Sequence, residues 1–329
     1  MTAKQLLFIG GTGRISSACV TRAVELGHHV TVLNRGQAKV RSLPDDVEQL
    51  HADIRQPETV REVLGSREFD AVADFVAFTP EHIATDLELF RGRTGQYVFI
   101  SSASAYQTPP ARLPITESTP LRNPCWQYSR DKIACEDVLV GAYRNEGFPA
   151  TIVRPSHTYD RTSMVTTGRW TDIARLRAGK PAVVHGDGTS LWTITHHRDF
   201  AVGFLGLLGC PEAVGEAFHI TGEQSPTWNQ IYSWLAEAAG AESTLAHVPS
   251  ELIAAVRPDL GPGLLGDKAH SMVFDNSKVK ALVPEFRTTI RFADGAREIL
   301  AWYEEHPEAQ AYDAEFDAAF DRMVAAVTI

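Results

Sequence analysis

Two periods of apolar and polar residues alternate along the first half of the chain. Short apolar runs closed by glycine or polar residues predict buried parallel strands, because a strand covered on both faces needs no polar alternation. Residues 5–10 (QLLFIG), 28–34 (HHVTVLN), 96–102 (QYVFISS) and 150–155 (ATIVRP) fit this pattern, as do a shorter run at 47–51 and the strand with its exit at 69–78. Between them lie stretches whose apolar residues recur every three or four positions, which predicts helices. These cover 15–27, stopped by Gly27; 57–65, opened by Pro57; 81–92; and 128–147. Such alternation calls for an α/β fold with a doubly wound parallel sheet.

The pattern changes after about residue 160. Residues 161–179 mix loop and helix, 181–188 read as strand then turn, 198–209 as an apolar helix, 216–221 as a strand and 231–240 as a helix. Residues 251–270 are rich in Gly and Pro and read as a loop-laden segment. Phe316, Phe320, Met323 and Val327 share one face of a last helix, a spacing expected of core packing. The expected organisation is a first domain over residues 1–160 with returning segments at about 195–222. A smaller mixed α/β lobe takes 161–194 and 223–329 with the C-terminal helices.

Composition narrows the function classes. The chain has 329 residues, 44% hydrophobic and 22% charged, enough to bury a large core. A formal net charge of -10 opposes a phosphate backbone and argues against general nucleic-acid binding. The four cysteines, Cys19, Cys125, Cys135 and Cys210, form no C-x-x-C pair and read as reduced thiols. No run approaches the roughly 18 apolar residues of a membrane span, and the N-terminal apolar run is too short for a signal peptide. A cytoplasmic protein without membrane partners is the expectation.

GGTGRIS joins the first strand to the first helix. Gly10 and Gly13 match the first two glycines of a phosphate-binding turn, with Ser16 in the place of the third. Backbone N–H groups and the helix N-terminus, from Arg14 and Ile15 onward, suit a pyrophosphate. This makes the sheet a Rossmann-type, dinucleotide-binding one. The second strand ends at Asn34-Arg35-Gly36, where an NAD-selective site usually carries an acid for the ribose 2′-hydroxyl. Arg35, with Arg14 as a second cation, suits a 2′-phosphate instead. NADP(H) is therefore the favoured cofactor and NAD(H) the alternative. Asp53 and Ile54, after the third strand, are placed to meet adenine, with a plain turn role as the alternative for Asp53.

Tyr128 and Lys132 stand four apart at the start of the long helix, hence on one face and a turn apart. A phenol is a poor base at neutral pH, and a neighbouring ammonium is expected to favour its ionised form. With a serine from the preceding strand end, the pair can move a carbinol proton while hydride passes to or from a nicotinamide.

These motifs resemble the short-chain dehydrogenase/reductase superfamily, in particular its extended branch of NAD-dependent epimerases, dehydratases and reductases. The likeness runs from GGTGRIS through YSRDK and RPSHTYD to GDGTSLWTITHHRDFA. It implies Tyr128 as acid/base and Lys132 on the nicotinamide ribose. Ser102 would be the strand-end hydroxyl, four before Tyr106, with Ser101 and Ser104 as rivals. Val76 and Ala77 would line the dinucleotide, and Pro155, Ser156 and His157 would lie beside the nicotinamide. It also implies a homodimer paired through residues 81–92 and 128–146, where Ile83, Leu87, Phe90, Ile133 and Leu139 equally suit packing on the sheet.

Three departures matter. Ala103 and Ser104 replace the Asp-Glu pair of the sugar 4,6-dehydratases, which argues against that activity. Asp160 stands where a glycine is usual. Trp192 stands where an arginine often meets a nucleotide diphosphate. His157 and Cys125 are candidates for a second acid/base. His185, His196, His197 and His219 lack metal-ligand spacing, so no metal site is expected. Trp126 and Trp192 suit either an apolar substrate wall or packing between lobes.

Three functions compete. One is an epimerase or oxidoreductase acting on a sugar or nucleotide sugar. The second is an NADPH-dependent reductase of a non-nucleotide secondary-metabolite ketone. The third is a non-catalytic dinucleotide-sensing or nucleic-acid-binding relative, which the intact Tyr–Lys pair and the negative charge oppose.

Overall fold

Strand and helix alternate along the chain as their apolar periods require. The computed structural model describes residues 2–37 and 40–327. The strands are β1 (Gln5–Ile9), β2 (His29–Asn34), β3 (Glu48–His51), β4 (Ala71–Asp74), β5 (Tyr97–Ile100), β6 (Ala150–Pro155), β7 (His157–Tyr159), β8 (Ala182–His185), β9 (Ile194–His196), β10 (Ala217–Ile220) and β11 (Leu245–Val248). The helices that matter below are α1 (Ser16–Glu25), α2 (Pro57–Leu64), α3 (Pro80–Phe90), α4 (Gln127–Glu146), α5 (Trp170–Arg177), α6 (His197–Leu207), α7 (Trp228–Ala238) and α8 (Ser250–Val256).

Seven strands form one parallel sheet in the order β10-β6-β5-β4-β1-β2-β3. The order reverses between β1 and β4. A crevice therefore opens at the strand ends there, the place where doubly wound sheets bind ligands. Strands β4, β5 and β6 are buried on both faces. One apolar layer packs Val20, Phe200 and Phe204 of α1 and α6 on the sheet, and the other packs Val60, Ile83, Leu87, Phe90 and Leu139 of α2, α3 and α4. The α3 and α4 residues read as candidate dimer contacts are thus buried largely within the chain itself; Ile133 is half-buried.

The second lobe has its own core, built around Trp170, Trp192, Trp228, Tyr232 and Phe292. Two-stranded parallel pairs β8–β11 and β7–β9 belong to it and to its junction with the large sheet. The last helix, Ala314–Val327, buries Phe316, Phe320 and Met323. Residues 251–270 differ from the loop expected there: α8 is followed by a helical turn at Gly261–Gly263 and a π turn at Leu264–Lys268. Pro262 sits in the first helical turn, where its missing N–H costs no hydrogen bond. No helix among the described residues is long and apolar enough to cross a membrane.

Candidate active site

The turn after β1 is shaped by its neighbours as much as by its glycines. Gly10 has φ +82°, and a Cβ there would lie 2.4 Å from Val76 Cγ1. A Cβ on Gly11 would lie 2.7 Å from Val32 Cγ2, a packing need not read from the sequence. Ser16, in the third glycine position, is fully buried and staples the turn. Its hydroxyl donates to Gly10 O at 2.7 Å and accepts from Gly13 N at 2.8 Å. The turn leads into the N-terminus of α1, which carries no acid in its first turn. It can therefore receive an anion.

Beside this turn lies a cleft of about 400 Å³. Gly10, Gly13, Asn34, Arg35, Asp53, Ile54 and Val76 all line it. Asn34 Oδ1 accepts from Gly36 N at 2.7 Å, which fixes the exit of β2, and Arg35 is exposed. One Asp53 oxygen accepts from Arg55 N at 3.0 Å, so its turn role is real alongside its place in the cleft. Arg55, which sequence reasoning missed, also lines the cleft and donates to Val76 O. Its Nη1 is buried without a partner among the described residues. The glycine cradle, the helix N-terminus and these cations fit the adenosine and pyrophosphate of a nicotinamide dinucleotide. Ile15 instead packs against the core. Ala77 is buried and offers its carbonyl to Lys132. Arg14 does not join Arg35: it lines two other cavities, with His157 and Lys268.

The first of those cavities, about 280 Å³, gathers Ser102, Ser104, Tyr128, Pro155, Ser156, His157 and Trp192. Tyr128 and Lys132 stand one turn apart on α4, as their spacing demands. Burial raises the Tyr128 phenol above its ordinary range, and a hydrogen bond with Ser102 opposes that rise. Lys132 does not reverse it. Its Nζ donates to Ala77 O at 2.6 Å and Ile100 O at 2.7 Å, and lies 5.8 Å from the Tyr128 ring centre. Burial also pushes the lysine down, to about 8. The expected lowering of the phenol is thus replaced by a rise, because burial disfavours the charged form while Lys132 is directed at two backbone carbonyls.

The serines separate cleanly. Ser102 Oγ lies 2.8 Å from Ser104 Oγ, which accepts from buried Ser129 at 2.8 Å, a chain of hydroxyls that ends at Tyr128. Ser101 is committed to buried Glu136. Tyr106 is buried and bonds His219 Nδ1 and Arg154, away from the cavity. Burial, with Lys268 and Arg14 adding repulsion, pushes His157 down to about 3. It is a neutral imidazole at ordinary pH and holds no acidic imidazolium proton to donate. Cys125 is exposed and lies outside the cavity lining.

Trp126 and Trp192 both form cavity wall; Trp126 lies 4.9 Å from the Tyr128 ring, and Trp192 Nε1 is buried without a partner among the described residues. Asp267 and Lys268 complete the wall, and sequence reasoning missed both. Lys268 Nζ lies 5.8 and 5.9 Å from the rings of Trp126 and Trp192. Burial pushes the Asp267 carboxyl up to about 6. Asn123 holds this π turn in place by donating to Gly266 O at 2.7 Å and to Ser104 O at 3.0 Å. Of the histidines weighed as ligands, His185 bonds Lys268 O, His196 bonds Glu298 and His219 bonds Tyr106 and Asp275 O. No three His, Cys, Asp or Glu side chains converge among the described residues.

Known proteins share this architecture. The chain is 26% identical to the 2'-dehydrokanamycin reductase of Streptomyces kanamyceticus, over 86% of this chain and 80% of the relative. It is 27% identical to the chloroplast stem-loop binding protein of 41 kDa b of Arabidopsis thaliana, over 97% of this chain and 80% of the relative. An epimerase structure from Methanothermobacter thermautotrophicus superposes with a TM-score of 0.78 at 17% identity, covering 94% of each chain. A family model matches residues 6–221, and the chain is an enzyme belonging to the NAD dependent epimerase/dehydratase family.

Proposed function

We propose that the protein is an NADPH-dependent reductase of a ketone on a sugar-like substrate, with Tyr128 as its proton donor. The observation that carries this reading is the half-buried Tyr128 phenol, gathered with Ser102 in one cavity and shifted by burial toward its protonated form. A neutral phenol gives a proton to a carbonyl oxygen, the direction that reduction requires. The dinucleotide, when bound, supplies the hydride. Ser102 orients the carbonyl oxygen, and Lys132 leaves its two backbone carbonyls to hold ribose hydroxyls. Trp126 and Trp192 keep water from the reacting carbon. Arg35, exposed in the cleft, takes the 2′-phosphate through its planar fork. The reductase from Streptomyces kanamyceticus matches over most of its length, which supports a sugar-like ketone without a nucleotide.

Net epimerisation would use the same three groups and retain its cofactor between turnovers. The stem-loop binding relative keeps a nucleic-acid role in view, and the intact Tyr128–Lys132 pair with a net charge of -10 weighs against it. The test is nicotinamide fluorescence with NADPH and NADH, in wild type and Arg35→Ala, followed by turnover of ketosugars including 2'-dehydrokanamycin. Selective NADPH binding that collapses in Arg35→Ala, with turnover lost in Tyr128→Phe, is expected. Turnover that survives in Tyr128→Phe would refute the mechanism.

A further inference from the structure

The connection after β2 carries two arginines with different fates. Arg35 lines the adenosine cleft. Arg41, six residues on, does not. Its Nε donates to Asp160 Oδ2 at 2.5 Å and its Nη2 donates to Thr162 Oγ1 at 2.5 Å. Asp160 is only 2% exposed, and its other oxygen accepts from Thr162 N at 3.0 Å, Thr162 Oγ1 at 2.8 Å and Ser163 Oγ at 2.7 Å. Burial alone would raise this carboxyl, but the hydrogen bonds from Arg41 and Ser163 hold it down to about 2. The ion pair therefore persists through the neutral range. It ties together segments 119 residues apart.

Each segment borders a different site. On one side is the connection presenting Arg35, whose near end is fixed by the Asn34–Gly36 bond. On the other, Thr162 and Ser163 line the outer cavity with Arg14 and Arg169. An arginine on a connection held at both ends loses less freedom when it takes up a phosphate. Breaking a buried pair from one side leaves an uncompensated charge.

We infer that Arg41 and Asp160 are a positioning pair for cofactor selection, anchoring the connection of Arg35 so that preference for a 2′-phosphorylated dinucleotide depends on Asp160. This rests on the reading of Arg35 given above.

The experiment measures affinities for NADPH, NADH, 2′-phospho-ADP-ribose and ADP-ribose. Asp160→Asn should weaken the two 2′-phosphorylated ligands about tenfold while the others stay nearly unchanged. Arg41→Gln should do the same, and the double variant should be no worse than either single one. Equal weakening of all four ligands, or additive losses, overturns the proposal. If Asp160→Asn fails to fold, Thr162→Val removes only the shared hydroxyl. It should lower the preference by a smaller factor, and an unchanged preference in that folded variant overturns the proposal. Arg35→Ala separates the two ideas. A preference that survives in it refutes the cofactor reading; one that collapses there but persists in Asp160→Asn refutes the tie alone.

Discussion

Glu136 follows Lys132 by one turn on α4, and it fixes that helix to the sheet. Its carboxylate is 2% exposed and Arg154 of β6 is 5% exposed. Arg154 reaches it through Nη2 at 2.5 Å and Nε at 3.0 Å, and Ser101 Oγ also donates to it. Glu136→Gln keeps the shape but sets an amide N–H₂ against the guanidinium. The amide keeps one acceptor oxygen, so Arg154 would retain one bond to it and its 3.2 Å bond to Tyr106 OH, and would lose the second acceptor and the opposing charge. Leaving one partner of a buried pair uncompensated costs about 3–5 kcal/mol. For a chain of 329 residues, unfolding entropy is on the order of 0.7 kcal/mol per kelvin, so the midpoint should fall by about 4–7 °C. Differential scanning calorimetry gives the shift directly. Replacing both partners by methionine should recover much of the loss, because the desolvation of two charges is then avoided. A drop in Glu136→Gln below about 1 °C would mean that the pair contributes no more than a surface contact, and would refute this account.

Three further outcomes are expected. Lys132, pushed down to about 8, loses its proton as pH rises through that value, so kcat/KM for reduction should fall on the alkaline side; a fall that is unmoved in Lys132→Arg would assign the limb elsewhere. His157→Asn should cost less than about tenfold in kcat and leave the pH profile in place, because a neutral imidazole contributes no titrating proton near pH 7; loss of a limb in that variant would restore His157 as an acid/base. Gly10→Ala combines φ +82° with a Cβ 2.4 Å from Val76. It should lower stability in urea by roughly 2–5 kcal/mol and weaken dinucleotide binding, and an unchanged midpoint would show that the turn relaxes freely.

What the residues reveal by themselves depends on whether one element or several carry the information. Buried strands and amphipathic helices announce themselves locally, so the sheet and its helices were legible as far as β6. Tyr128 and Lys132 were legible because four residues on a helix make one face. The charge state of that pair was not. It follows from burial among Phe78, Phe99 and the carbonyls of Ala77 and Ile100, which come from separate segments. Arg14 and Arg35 read alike as cations near a phosphate, yet the fold sends one to the cavity of Tyr128 and the other to the cleft beside the glycine turn. Asp267 and Lys268 lay in a stretch whose glycines and proline suggested only loop. Their place opposite Tyr128 arises because Asn123 bonds Gly266, and because His185, Ser190 and Trp228 all donate to the Lys268 carbonyl. None of these partners is near in sequence, so no local pattern marks the turn. The family motifs are therefore local, in α4 and the glycine turn. The rest of the cavity wall around Tyr128 is assembled from distant segments, which explains how the family can be read from this chain more readily than the shape of that cavity.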